Sequence, residues 1–461
     1  MKKTLVLFFI LAFCAMAQEE EQDVQKDSSV VKIEVKNLFL NAVSWPLVYI
    51  VQPTVEFLMY PLIPPLIYIS RENLIEKGQN LITYGENNQI MFYPLINAKL
   101  GNGANIGFVY WHSDLFLQND NLFFSPHLYI NADRDVALRY IKKNILGSSF
   151  YWGFGASYTA DGDNGFRDLE GVSYSFTDSS IFFNQFVGFS LDENWGLGFG
   201  FGLSFYRFDL PSIDDDIIEG DKVTDRGFYQ HFNSYPMSIN LSYNSLDEPY
   251  AATRGSKFSI GYSYTPVSRY NGSRGHNYHI VESRLVRYLL LGSKSYAMTV
   301  AESNANLEKL KNLSLAEAIE MLNPINVKEA DILDRRILVT QIKMRQVIEE
   351  NEDKAPFVAM GRHGGNFPLR AYADGYIAAP LVAGVSAEYR WPIDRFVDAL
   401  IFNEYGIFGK DFSRLTTDNL RNSYGFGFRI RTPRFFIARF TVAFHGSQGA
   451  TVILTTRPEY N

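Results

Sequence analysis

Apolar side chains alternate with small or polar ones, at a period of two, along several stretches of this chain. Trp195, Leu197, Phe199, Phe201 and Leu203 alternate with Gly196, Gly198, Gly200 and Gly202. Trp152, Phe154, Ala156 and Tyr158 alternate with Gly153, Gly155 and Ser157. Tyr235, Met237, Ile239, Leu241 and Tyr243 alternate with Pro236, Ser238, Asn240 and Ser242. Phe258, Ile260, Tyr262 and Tyr264 alternate with Lys257, Ser259, Gly261 and Ser263, and Tyr424, Phe426, Phe428 and Ile430 with Gly425, Gly427, Arg429 and Arg431. Successive side chains of a strand point to opposite faces. One face is therefore greasy and the other small, polar or charged, which suits a wall between lipid and a wet lumen. A soluble sandwich accounts for any one of these strands, but less readily for so many aromatic ones.

The pattern predicts about sixteen strands. They start near Gln89, Asn105, Leu122, Asp135, Ser149, Ser179, Asn194, Ser234, Gly255, His276, Ser293, Ala383, Val397, Asn422, Phe436 and Gly449. Even-to-odd joins are mostly short, such as Gln118–Asn121, Leu146–Ser148 and Thr432–Arg434. Several odd-to-even joins are long: Ala160 to Ser179, Asp209 to Phe232, and above all Ala305 to Leu381. Short turns at one end and long loops at the other are the habit of outer-membrane barrels.

Composition narrows the class. Aromatic residues make up 15% of the chain, and 34 of its 461 residues are glycine. Net charge is −7, and two charges more negative once Lys2 and Lys3 are removed, which excludes a basic nucleic-acid surface. Residues 1–17 read as a secretory signal: Lys2 and Lys3, an apolar stretch Leu5–Phe13, and the cleavage site Ala15-Met16-Ala17. The alternative is a lipoprotein signal at Leu11–Cys14, with bulky Phe13 against it. Cys14 is the one cysteine, so neither a disulfide framework nor a cysteine metal site is expected. A spanning helix needs roughly 20 unbroken apolar residues. The best candidate, Leu38–Ile69, is broken by Pro46, Pro53, Pro61, Pro64 and Pro65. Residues 18–88 therefore read as a short helical segment at the membrane interface, or else as a disordered leader.

Two motifs carry a family resemblance. Gly364-Gly365-Asn366-Phe367-Pro368-Leu369-Arg370-Ala371-Tyr372 precedes Glu388-Tyr389-Arg390-Trp391-Pro392 and Phe402-Asn403-Glu404-Tyr405-Gly406. Tyr243–Gly255 holds Asp247, Pro249 and Thr253 before Gly255. The chain resembles the BamA/TamA family of outer-membrane barrels, also called the bacterial surface-antigen family. The resemblance implies that Arg370, at the tip of an inward-folded sixth loop, is latched by Glu388 and Glu404 on the two strands that follow. Gly364, Gly365 and Tyr372 would shape that tip. Glu404 stands where the family usually has Asp, and Ala371 where it usually has Gly. Asp247, Pro249, Thr253 and Gly255 would form the turn between two middle strands. The bland readings are one more lumen arginine and an ordinary turn.

The expected fold is thus an all-β, sixteen-stranded antiparallel outer-membrane barrel over residues 89–461, with a helical insertion at 306–350 in the sixth outer loop. Leu307–Leu322 reads helical, with Ser314 and Glu317 as a capping box. Lys328–Glu350 reads helix-like, with a strand over Ile337–Val347 as the alternative. By resemblance the barrel acts in protein or lipid transport or insertion at the outer membrane of a diderm bacterium. It would meet outer-membrane lipids, a client or periplasmic partner, and the machinery that reads the C-terminal strand Ala450–Tyr460. No POTRA array is expected in 18–88. The seam would join Gln89–Ala98 to Ala450–Thr456. The rival is a plugged or pore-forming barrel with no translocation role.

Enzymatic signals are thin. His276 and His279 fall on opposite faces of a strand, and no third metal ligand is indicated. Asp214–Asp216 reads as a solvated acidic loop rather than a calcium site. His231 and Asp209–Asp216 supply pieces of a site without a matched nucleophile and base. No cofactor is expected, and the chain is not read as an enzyme.

Overall fold

The computed structural model describes residues 83–85, 89–99, 103–129, 134–167, 173–209, 212–213, 216–217, 229, 231–247, 252–269, 277–291, 336–350, 355–365, 368–373, 375–394, 397–431, 436–446 and 449–456. The signal, the segment 18–82 and the capping box at Ser314 lie outside them. Among the described residues no helix is long and apolar enough to cross a membrane.

The architecture is one antiparallel ladder in chain order. Its first strands are β1 (Ile90–Lys99), β2 (Gly103–Ser113), β3 (Asp120–Tyr129), β4 (Arg134–Lys142), β5 (Phe150–Arg167), β6 (Ser173–Ser190) and β7 (Trp195–Phe208). Two broken strands follow: β8 (His231–Ser234 with Met237–Asn244) and β9 (Gly255–Thr265 with Val267–Arg269). The rest are β10 (Tyr278–Leu291), β11 (Arg336–Glu349), β12 (Leu381–Asp394), β13 (Val397–Gly409), β14 (Leu420–Arg431), β15 (Phe436–Phe444) and β16 (Ala450–Thr455). Each pairs with its successor, from β1–β2 to β15–β16. The last is also paired to the first, Ile453–Thr455 against Asn97–Lys99.

The breaks in β8 and β9 have one cause. Pro236 and Pro266 have no N–H to give the ladder. Their carbonyls still accept, from Gly202 N (2.8 Å) and Tyr235 N (3.0 Å), so the two strands kink together without parting.

The alternation sorts the two faces. Phe199 (41% exposed), Phe201 (51%) and Ile239 (41%) share the outward face with Met237, Ile260 and Tyr262. Across the ladder Phe201 faces Met237, Phe199 faces Ile239, and Ile239 faces Tyr262. A continuous exposed apolar band of this kind is not a water-facing surface. The inward face carries Gly198 opposite Asn240, which in turn stands opposite Gly261.

One sequence expectation is corrected. Arg336–Glu349 is neither helix nor loop but strand β11, paired with β10 over fourteen residues and with β12 over ten. The latch-bearing join therefore shortens to residues 350–380. The rest of the expected insertion, and the strand expected near Ser293, fall in residues 292–335, outside the described ones. The residues flanking 292–335, Leu291 and Arg336, are paired at the short-turn end.

The join 350–380 folds inward and makes its own core. Its hairpin pairs Gly361–His363 with Ile377–Ala379, and Ile377 bridges to Arg167 at the tip of β5. Phe357 stacks edge-on against Phe176 (4.7 Å between centroids) and Phe208 (4.9 Å). Ala355, Ala359, Phe232, Tyr278 and Val347 complete that cluster at the long-loop end.

Candidate functional site: the loop tip on the inner wall

The tip Pro368–Tyr372 lies against the inward faces of β12 to β16. A glycine notch admits it. Gly384 and Gly406 are cross-strand partners. A Cβ on Gly384 would stand 2.4 Å from Pro368 Cγ, and one on Gly406 2.8 Å from Leu369 Cδ1. The tip turn is tied by Gly364 N to Pro368 O (3.2 Å), Gly365 N to Tyr372 O (3.0 Å) and Tyr372 N to Leu369 O (3.0 Å). Gly364 has φ +110°, and a Cβ there would meet the Ala373 carbonyl at 1.9 Å. The left-handed residue at the tip itself is Leu369 (φ +74°), not Ala371. A non-glycine residue at Ala371 thus costs the turn nothing.

Arg370 is 5% exposed, and Glu388 and Glu404 are fully buried. Its Nη1 donates to Glu388 Oε2 at 2.7 Å, and its Nε lies 2.6 Å from Glu404 Oε1. Its backbone N–H donates to Glu404 Oε2 at 2.8 Å. The guanidinium also lies over the Phe402 ring, 4.1 Å from the centroid. A planar fork reaching two carboxylates at once is what arginine offers and lysine does not.

Strand parity brings in residues to which the resemblance gives no role in the latch. Arg390, two positions beyond Glu388 on the same face, donates Nε to Glu388 Oε1 at 2.6 Å. Arg439 on β15 donates Nη2 to Glu388 Oε2 at 2.8 Å. Glu388 thus takes three guanidinium contacts, which offset the cost of burying its charge. Ala371 N donates to Ser423 Oγ on β14 (3.1 Å), and Thr451 Oγ1 on β16 donates to Ala371 O (3.0 Å). Toward the short-turn end Asp398 is clamped by Arg429 Nε (2.8 Å) and by Arg431 Nε and Nη2 (2.6 and 3.0 Å). Tyr372 packs beside His445 and Tyr376, with centroids at 4.8 and 5.1 Å.

The turn motif sits apart from the tip. Asp247 accepts from Thr253 N (2.9 Å), Thr253 Oγ1 (2.5 Å) and Arg254 N (3.2 Å). Gly255 has φ +100°, and a Cβ there would meet Ser245 O at 2.1 Å. Pro249 lies outside the described residues.

Two histidine networks stand elsewhere. His127 joins Asp135 through Nδ1 (2.9 Å) and Ser125 through Nε2 (3.2 Å). The imidazole lies where a Cβ on Gly107 would stand, and Ser125 is 1% exposed, so its hydroxyl is shut into the wall. His279 joins Tyr262 Oη (2.7 Å) and Glu350 Oε1 (2.9 Å). His276 and Asp214–Asp215 lie outside the described residues. Among those residues no group of three His, Cys, Asp or Glu side chains is placed to hold a metal.

Three comparisons set this geometry among known proteins. The family model that matches is the Omp85 superfamily domain, over residues 125–452. Among solved structures the chain is similar to BamA from Haemophilus ducreyi lacking POTRA domains 1-3. That match has 15% identity and a TM-score of 0.56, over 80% of this chain and 70% of that one. It is also similar to CdiB from Acinetobacter baumannii, at 12% identity and a TM-score of 0.48, over 80% of this chain and 59% of that one. No curated protein matches. At these identities the solved structures speak to the fold alone.

Proposed function

Because the chain belongs to the Omp85 superfamily, as an outer-membrane β-barrel of the BamA kind, we propose that its ladder closes as a sixteen-stranded barrel. The barrel serves insertion or transport at the outer membrane, with a polypeptide client and the seam between β1 and β16 as the route. The end where most joins are short turns faces the periplasm, with 292–335 as its one long join, and the end with join 350–380 faces outside. Residues 1–17 act as the export signal, and 18–88 lie at the periplasmic interface. Arg370, Glu388 and Glu404 are structural: they hold the loop tip as a cork, with the Asp247–Gly255 turn bracing the periplasmic rim.

The seam carries this reading. Among the described residues β16 and β1 share three cross-strand pairs, against six to sixteen at the other joints. Net hydrogen-bond stabilisation scales with such pairs, at about 1 kcal/mol each. The seam is therefore the joint that parts most easily. A strand edge exposed there pairs readily with an extended segment from another chain.

Site-specific photocrosslinking tests this. A probe at Ile96, beside the seam, is expected to capture nascent outer-membrane proteins, whereas one at Phe201, far round the wall, is not. Equal capture at both sites, or at neither, overturns the insertion reading. A steady single-channel conductance in planar bilayers, without capture, leaves the pore-forming barrel in its place.

A further inference from the structure

The seam edge of β1 is shared between two segments. One edge of β1 is paired along its whole length with β2, Ile90 opposite His112 to Lys99 opposite Gly103. The other edge takes β16 at Asn97–Lys99. It also takes Thr83 and Tyr84, antiparallel, opposite Met91 and Ile90. Gly85, at φ +85°, turns the chain back toward β1. Thr456 continues the seam one step, with Ile96 N donating to its Oγ1 (3.0 Å) and its own N–H donating to Ile96 O (3.0 Å). Among the described residues, Thr83–Tyr84 and Ile453–Thr456 thus lie on one edge of β1 without overlap, Thr83 being the nearer to Thr456.

We propose that Thr83–Tyr84 is an edge cap: it holds the periplasmic end of the seam edge of β1, and it must detach before an extended client segment pairs along that strand. The inference rests on the seam being the client's route. Two features support it. A bare strand edge invites pairing with any extended chain, and native proteins cover such edges. Two residue pairs beside a turn make a cover weak enough to be displaced, since a lone short hairpin is marginal by itself. The same segment therefore guards the edge at rest and yields to a longer strand, which gains more ladder bonds than the cap gives up.

The test uses full-length protein in liposomes, with Cys14 replaced by serine. The readout is insertion of a urea-denatured eight-stranded outer-membrane barrel, scored by protease protection. One variant, T83C/M91C, staples the cap to β1. A second, A98C/L454C, staples the seam. Heat-modifiability on gels confirms that each barrel is folded. Both staples are expected to stop insertion when oxidised, and reductant to restore it. Tyr84→Pro, which denies the cap its ladder bond, is expected to speed insertion about fivefold, the gain from losing roughly one net hydrogen bond. If the seam staple stops insertion and the cap staple does not, or Tyr84→Pro leaves the rate unchanged, the cap is overturned while the route stands. If the oxidised seam staple leaves insertion intact, the route falls, and the cap with it.

Discussion

Arg370→Ala takes the fork away from two carboxylates that have no water to turn to. Breaking one partner out of a buried pair costs about 3–5 kcal/mol. We expect the folded form on unheated gels to melt at lower temperature and urea midpoints to fall correspondingly. Arg370→Lys should recover only part, because a point charge cannot serve Glu388 and Glu404 together. Glu388→Gln should be worse than Glu404→Gln, since it strands three guanidiniums (Arg370, Arg390, Arg439) rather than one. Equal urea midpoints for the two variants would contradict this ordering. Asp411, in the join after β13, sets a pH-dependent contact of another kind. The Ser413 hydroxyl and the N–H groups of Ser413 and Arg414 donate to its carboxylate and hold it below the usual aspartate range. Its folded pKa is depressed, so the turn is supported above the ordinary aspartate range and loses that support as pH falls through the folded value. Amide exchange at Ser413 and Arg414 should quicken on acidification, and Asp411→Asn should show the quick exchange at neutral pH. Of these residues, sequence named the ones inside a local motif. Arg390 was within reach by parity from Glu388. Arg439, Ser423 and Thr451 were not, because which strands stand side by side, and at what register, is a long-range fact.

Strand starts fell close to the alternation because most inward positions are small or polar and most outward ones greasy. β11 broke the rule for a packing reason. Its inward Ile337 and Val339 meet Tyr288 and Ala252 at one end, and Val347 joins the Phe357 cluster at the other. Lys343 and Arg345 lie between them on the same face. With apolar residues on both faces the period of two is lost, and pairs such as Leu338 and Ile342 imitate a helix. Thr340→Pro, in the middle of two ladders, should prevent assembly of a heat-modifiable barrel; a folded barrel at wild-type yield would show that β11 is dispensable. The notch behaves as an element too. Gly384→Val puts a branched side chain where Pro368 rests, so it should loosen the cork while leaving Arg370 and both glutamates in place.

At the scale of the whole molecule, the join 350–380 and its aromatic cluster cover the inner face of the ladder at the long-loop end, the place of a stopper if the barrel closes as proposed. Both Arg370→Ala and Gly384→Val should raise conductance in planar bilayers above the wild-type baseline; two unchanged traces would show that something other than the tip closes the lumen. The tip has a wider consequence. It leaves the wall between β11 and β12, yet it is bonded to side chains from each of the five strands made after it: Glu388, Glu404, Ser423, Arg439 by way of Glu388, and Thr451. No truncated chain can satisfy it. Thr451, the second residue of the last strand, supplies the closing bond. Arg370 and Ala371 therefore act as an inspector of finished goods, settling into place only when the last stave has been delivered.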